Sequence, residues 1–381
     1  MGNRIILNGT SYFGRGAREN VITELRNRNF TKALVVTDKN LLDAHVTNLV
    51  TDVLDKNDFS YQIYSDIKPN PTTLNVQEGV TFCRNSKADV IIAVGGGSAI
   101  DTAKAISIIM TNPEHFDVIS LDGAVETKNA GMPIIALPTT AGTAAEVTIN
   151  YVITNPVGPK KMVCVDPHDI PIVAIIDQDL MEKMPKSLAA STGMDALTHA
   201  IESYIGRSGN KRTRDDALEA IKLIFDNLLI SYKDKTRESR KNMLIAAHKA
   251  GRSFSKAYVG YVHALAHALG GKYNTAHGLA NAVILPIVLR EYGKSIYKKM
   301  KRIAIYLGYA TKSTDAKEAC NLIINKIEEY NRILNIPVHL KGIKDKDIKM
   351  MAAYAYHEAN PLYPVPVLWS KEKLAQMYKK I

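Results

Sequence analysis

Ala88-Asp-Val-Ile-Ile-Ala-Val-Gly-Gly-Gly-Ser-Ala-Ile-Asp-Thr-Ala-Lys-Ala105 reads as a strand, a glycine turn and a helix in immediate succession. Val90–Val94 form the apolar strand, and the helix starts directly after Ser98. Gly95, Gly96 and Gly97 can adopt positive φ and present no side chain to block a phosphate. The helix start behind them offers free N–H groups and the positive end of a dipole, to which Ser98 adds a hydroxyl. The competing interpretation is a plain strand-to-helix turn, which seldom needs three consecutive glycines. Position 100 is Ile, so the usual G-x-G-x-x-G fingerprint is absent. No Gly-Lys-Ser/Thr follows, which excludes a P-loop.

The same alternation continues on both sides of this unit, up to about residue 190. Strand-like runs occur at Ala33–Thr37, Tyr61–Tyr64, Asp89–Val94, Pro133–Leu137 and Ile172–Ile176. Helical stretches Leu41–Asp55, Asn75–Asn85 and Ala99–Ile109 lie between the first four. Strands alternating with helices predict a parallel, Rossmann-like sheet covered on its faces by helices. Beyond residue 190 the strand-like runs stop. Helix-period stretches take over at Asp195–Ile205, Arg214–Lys233, Arg237–Ser253, Val259–Leu269 and Gly278–Glu291. The expectation is therefore an α/β domain over residues 1–185 and an all-α domain over 186–381. The break falls at Met184-Pro185-Lys186-Ser187.

Two further features of the first half suit a dinucleotide. Asp38 closes Leu-Val-Val-Thr-Asp, and an acid at a strand's carboxyl end can accept bonds from both ribose hydroxyls while repelling a 2′-phosphate. It could equally be the N-cap of the next helix. Pro138-Thr-Thr-Ala-Gly-Thr-Ala-Ala-Glu146 is a second small-residue loop, able to line a cofactor cleft or to cap a following helix.

The second half carries the histidines. Asp195 and His199 are four apart, as are His263 and His267, so each pair shares one helix face. Gly270 and Gly271 are expected to end the second of these helices, and His277-Gly278 follows a short turn. No acid occurs between Glu238 and Glu291, so these imidazoles lack nearby carboxylates in sequence. A divalent ion held by Asp195, His199 and two of the three later histidines would satisfy them, with one histidine left for proton transfer. His45, His115, His168, His248, His339 and His357 have no such company.

The 381 residues carry a formal net charge of +11, which invites a non-catalytic, basic NAD- or nucleic-acid-binding protein as a rival reading. Of that excess +8 falls in residues 291–381, scattered along helical patterns with few aromatics placed for base stacking. A solvated surface is the better account, so no nucleic-acid partner is expected. Cys83, Cys164 and Cys320 are far apart and odd in number, which suits a reducing, cytoplasmic setting rather than a disulfide framework. No apolar run spans a bilayer, so no membrane role is expected. Met1–Gly9 lacks a signal-peptide core and reads as the start of a strand.

Gly95–Ser98, Pro138–Thr148, Gly193–Tyr204, Val262–Gly271 and Tyr273–Ala282 together closely resemble the iron-dependent (group III) alcohol dehydrogenase family. Thr148–Thr154 and Lys161–Pro171 are most similar to the branch acting on lactaldehyde and propane-1,2-diol. The resemblance implies a dehydroquinate synthase-like fold, NAD bound by the first domain and Fe²⁺, or alternatively Zn²⁺, by the second. It implies metal ligands Asp195, His199, His263 and His277, leaving His267 as the catalytic histidine near the nicotinamide. Gly96, Gly97 and Ser98 would hold the pyrophosphate, and Thr139, Thr140 and Thr143 would line the cofactor cleft. Asp38 would lie near the adenine ribose, and Asn70, Asn150, Lys161 and Leu180 near the nicotinamide half. The implied activity is hydride transfer between nicotinamide and a small alcohol or aldehyde. Relatives acting on 1,3-propanediol, ethanol or butanol are the alternatives. Members of this kind are homodimers through an N-terminal strand, here expected within Asn3–Phe13. One segment departs from the family: Tyr356-His-Glu-Ala-Asn360-Pro361, running on to Trp369, replaces a Cys and paired glycines. If it edges the substrate pocket, Tyr356 would narrow it or change its polarity.

Overall fold

The computed structural model describes residues 6–158 and 160–381. The chain divides into two compact units, Met1–Pro185 and Lys186–Ile381.

In the first unit the order is β1 (Thr10–Phe13), α1 (Asn20–Asn27), β2 (Lys32–Val36), α2 (Lys39–Asp43), α3 (Asn48–Asp55), β3 (Ser60–Tyr64), α4 (Thr73–Ser86), β4 (Val90–Gly95) and α5 (Gly97–Thr111). It continues through β5 (Gly123–Ala124), β6 (Ile134–Pro138), β7 (Asn150–Asn155), β8 (Lys160–Val165) and β9 (Val173–Ile176). Six strands form one sheet in the order β1-β9-β6-β4-β2-β3, every pair parallel. Because side chains alternate along a strand, each central strand feeds two cores. Leu34, Val36, Ile91, Ala93, Ile134 and Ala136 join the cluster on one face. Ala33, Val35, Val90, Ile92, Ile135 and Leu137 join the cluster on the other. This double burial explains why these strands read as unbroken apolar runs.

A second, three-stranded sheet, β5-β8-β7, contains the antiparallel β7–β8 hairpin. The hairpin is fastened to α5 by polar contacts. Asp101 accepts from the Val152 N–H at 3.0 Å, and the fully buried Lys104 Nζ donates to the carbonyls of Thr148 (2.5 Å) and Asn150 (2.9 Å). Asp169, also buried, lies 3.5 Å from the same ammonium, and burial pushes its carboxyl up to about 8.

Several expectations change. The helix expected over Leu41–Asp55 is two short helices, interrupted where His45 takes a left-handed φ of 55°. Of the stretch read as an N-terminal strand, residues 1–5 lie outside the described residues, and the strand itself is Thr10–Phe13. No α-helix follows Pro138–Glu146: a single turn at Ala145–Val147 leads into β7, so that loop caps no α-helix.

The second unit consists, among the described residues, of helices: α6 (Lys186–Ile205), α7 (Lys211–Lys233), α8 (Arg237–Ala257), α9 (Tyr261–Tyr273), α10 (His277–Tyr292), α11 (Tyr297–Tyr306), α12 (Ala316–Ile333), α13 (Asp345–Ala359) and α14 (Lys371–Tyr378). Helix α6 packs against α7, α8 and α10, while α9 packs against α10 and α13. Gly270 and Gly271 do not end α9. It runs on to Tyr273 and stops where Asn274 turns left-handed at φ 54°. Among the described residues no helix is long and apolar enough to cross a membrane. The basic C-terminal surface is partly paired, with Lys373 and Lys380 on Glu291 and Lys326 on Glu329.

Replacing Lys104 by Met should cost about 3–5 kcal/mol, because it strands the buried Asp169 together with the carbonyls of Thr148 and Asn150. Urea unfolding followed by circular dichroism checks this; a loss below about 1 kcal/mol, the size of an ordinary surface change, would contradict the role given to Lys104.

Candidate metal centre and phosphate loop

In the first unit the candidate cofactor residues gather at the carboxyl ends of three adjacent strands, β2, β4 and β6. Asp38 follows β2, Gly95–Ser98 join β4 to α5, and Thr139–Thr143 follow β6. The strand order reverses between β2 and β4, and open α/β sheets bind ligands at such a point. None of the three loop glycines has a positive φ. Their glycine character is set by close approach instead. A Cβ on Gly97 would sit 2.8 Å from Thr143 Cγ2, and one on Gly96 would sit 3.2 Å from Thr140. The two small-residue loops thus lie against each other, joined also by the Thr139 N–H donating to the Gly95 carbonyl at 3.0 Å. Gly96, the N-cap, has no side chain to bond the first turn of α5, which leaves its N–H groups available to an anion.

Asp38 caps α2, accepting from the Leu41 N–H at 3.2 Å through one carboxylate oxygen. Lys161 on β8 donates to Asn70 Oδ1 at 2.8 Å, and the Thr154 N–H donates to the Pro71 carbonyl, so the Asn70 turn is bound to the hairpin. Asn150 opens β7 and its carbonyl is taken by Lys104. Leu180 differs from the rest: its side chain is 1% exposed and belongs to the core with Leu25 and Val50.

In the second unit three helices converge. Asp195 and His199 project from the same face of α6, His263 from the first turn of α9, and His277 is the first residue of α10. One ligand atom from each of these four lies within 4.8 Å of all the others, and among the described residues this is the only such group. Asp195 Oδ1 is 3.4 Å from His277 Nε2 and 3.8 Å from His263 Nε2. Asp195, His199 and His263 are buried. Gly278 makes the approach of α10 possible, since a Cβ there would meet the Ser191 backbone carbonyl of α6 at 2.4 Å. Asn281, one turn along α10 and fully buried, directs Nδ2 at Asp195 Oδ1 (2.6 Å) and His277 Nε2 (3.1 Å).

The fit to a divalent cation rests on His263. Its Nδ1 donates to Glu202 Oε2 at 2.6 Å, which leaves Nε2 as the deprotonated nitrogen. That Nε2 is buried, faces Asp195 and has no hydrogen-bond partner. Burial also holds the ring well below the usual imidazole range, so it is neutral. A buried lone pair beside a buried carboxylate, with two more imidazoles in reach, is a donor set that a cation satisfies. His267 stands outside the group, its ring stacked on His277 with centroids 4.9 Å apart.

The sequence suggested that these histidines have no carboxylates near them, and the structure corrects this. Glu202 reaches His263 from α6, and Glu358 reaches His267 Nδ1 from α13 at 2.7 Å. Glu202 carried a signal: residues 195, 199 and 202 fall on one helical stripe. Glu358, ninety-one positions from its histidine, carried none. Tyr356 is half-buried on α13, with the Lys371 ammonium 5.2 Å over its ring.

The sequence profile of iron-containing alcohol dehydrogenase matches residues 8–178, and that of the Fe-containing alcohol dehydrogenase family C-terminal region matches residues 189–381. Lactaldehyde reductase of Escherichia coli (strain K12) is 46% identical over 357 residues, 93% of each chain. A crystal structure of 1,3-propanediol oxidoreductase superposes with a TM-score of 0.94 at 34% identity, covering 100% of this chain and 99% of that one. Sulfoacetaldehyde reductase from Bifidobacterium kashiwanohense, solved in complex with NAD⁺, gives 0.85 at 27% identity, covering 100% and 98%. The α/β unit and the helical unit are those of a dehydroquinate synthase-like fold, and the chain belongs to the iron-containing alcohol dehydrogenase family.

Proposed function

We propose that this chain interconverts lactaldehyde and propane-1,2-diol with NAD(H), using Fe²⁺ held by Asp195, His199, His263 and His277. The observation that carries the metal assignment is the buried, unpartnered Nε2 of His263 facing Asp195 inside that four-residue group. The 46% identity to a lactaldehyde reductase supports the choice of substrate. The NAD⁺ complex of a structural relative and the glycine–threonine loop pair support the dinucleotide.

When bound, the ion would supply Lewis acidity at the substrate oxygen, and the nicotinamide would supply a hydride acceptor or donor. The chain's own residues do the remaining work. One carboxylate and three neutral imidazoles leave a divalent cation with net positive charge, which favours an oxygen losing its proton. Glu202 fixes the His263 tautomer, so that Nε2 is held toward the centre without reorganisation. His267 Nε2 accepts the hydroxyl proton during alcohol oxidation and returns it during aldehyde reduction. Gly96, Gly97 and Ser98 bind the pyrophosphate at the start of α5, and Thr139, Thr140 and Thr143 wall the cofactor. Asp38 keeps one carboxylate oxygen for the adenine ribose. Asn70, Asn150 and Lys161 serve the nicotinamide half; the Leu180 side chain serves packing.

We also propose a homodimer through β1, one of the two edge strands of the sheet, where Phe13 is 47% exposed. Residues 3–5 of the segment expected to pair lie outside the described residues. Three buried free thiols support a cytoplasmic setting, checked by cell fractionation. Light scattering on a sizing column should give twice the chain mass; a monomer would contradict the dimer.

Anaerobically purified protein should contain iron and oxidise NADH with lactaldehyde at a higher kcat/KM than with glycolaldehyde, propanal or butanal. No aldehyde-dependent oxidation would refute the activity, and a better rate with another aldehyde would refute the substrate. His263→Ala should lose metal and activity together, whereas His267→Ala should keep its metal and lose roughly 100-fold in turnover. Metal retained at full occupancy in the first, or lost in the second, would reverse the roles. Gly97→Val should weaken NADH binding by at least about tenfold with metal content unchanged, because the added side chain has no room beside Thr143. Fluorescence titration with NADH reads this, and unchanged affinity would remove the loop from the cofactor site.

A further inference from the structure

We infer that Glu358 is the positioning residue of His267, presenting its Nε2 as the proton acceptor. This rests on the reading of His267 as the proton-moving group. His267 is 6% exposed on α9, and its Nδ1 lies 2.7 Å from Glu358 Oε1. A carboxylate only accepts hydrogen bonds, so the proton of the neutral ring sits on Nδ1 and the lone pair on Nε2. The Tyr363 hydroxyl, itself buried, donates to the same Glu358 oxygen at 2.8 Å and helps to fix the carboxylate.

The rest of this segment is clamped to the same helix. Trp369 stacks on Tyr261 of α9, rings 7° from parallel and centroids 4.9 Å apart, and its backbone N–H donates to the Tyr261 hydroxyl at 2.9 Å. That hydroxyl lies 3.3 Å from Asn360 Oδ1. Asn360 and Tyr363 are tied back to the end of α13 through the carbonyls of Tyr356 and Ala359. The stretch from Tyr356 to Trp369, which departs from the family pattern in sequence, thus contributes a carboxylate to His267. Helix α9 carries two histidines and each has its own acid: the buried Glu202 orients the one in the metal group, the partly buried Glu358 the one outside it.

The test compares holoenzyme of wild type, E358M, E358Q, H267A and the H267A/E358M double variant for metal content, KM and kcat with lactaldehyde and NADH. E358M, similar in volume but without an acceptor, should keep its metal and the KM for NADH while kcat falls roughly 10- to 100-fold. E358Q still offers Oε1 to the Nδ1–H and should stay within about threefold of wild type, a rescue that packing alone does not predict. In the H267A background E358M should cost nothing further, because its effect passes through that ring. Equal kcat losses in E358M and E358Q, an undiminished loss in the H267A background, or loss of metal in E358M would each overturn the assignment. A slow H267A beside a fast E358M overturns the positioning role alone. An H267A variant with normal turnover would instead overturn the reading of His267 on which it rests.

Discussion

A single buried carboxylate, Glu202, sets the geometry on which the helical unit's centre depends. It accepts from the backbone N–H groups of Gly260 (2.9 Å) and Val262 (2.8 Å), which are orphan donors at the start of α9, and from His263 Nδ1 (2.6 Å). Burial pushes its carboxyl up to about 7, while the backbone donors of α9 pull it back down. The same atom pair therefore caps a helix and chooses a tautomer. Gly260 has to be glycine for this to happen, because a Cβ there would lie 2.6 Å from Glu202 Oε1. Once α9 is docked in this way, His263 Nε2 can only face Asp195, four residues below His199 on α6. The third helix reaches the same point because Gly278 lets its first turn touch the α6 backbone.

The α/β unit reaches its site by a different constraint, that of space. Parallel strands buried on both faces bring three carboxyl-terminal loops side by side, and side chains in those loops would collide. Gly96 and Gly97 against Thr140 and Thr143 resolve the collision and leave the start of α5 open to an anion. Lys104, three turns' worth of apolar helix notwithstanding, is spent on holding the β7–β8 hairpin to α5 through Thr148 and Asn150. The hairpin in turn carries Lys161 to Asn70. In this unit the polar network supports the position of the loops, and the apolar sheet supports the network.

How much of this was legible in the sequence depended on range. Local signals were readable: the apolar run Val90–Val94 before three glycines, and the four-residue spacings of Asp195–His199 and His263–His267. Strands buried on both faces announce themselves by composition, whereas β7 and β8, partly exposed and mixed in character, do not. Of the two reasons the sequence offers for the glycine loop, positive φ is not used, and the absence of side chains matters through close contact with Thr140 and Thr143. The end of α9 differs from the sequence expectation because Gly270 and Gly271 are tolerated inside the packed helix, and the left-handed Asn274 ends it instead. The acids on His263 and His267 escaped notice because tertiary packing brings them from α6 and α13, and only Glu202 lay on a readable stripe.

The roles proposed for the two units require that one divalent ion be held by one carboxylate and three imidazoles of the helical unit. Iron K-edge X-ray absorption on protein loaded anaerobically with Fe²⁺ reads that donor set directly. The account predicts a shell of light nitrogen and oxygen donors with outer-shell scattering from three imidazole rings. A shell of oxygen atoms alone, without imidazole scattering, would contradict it.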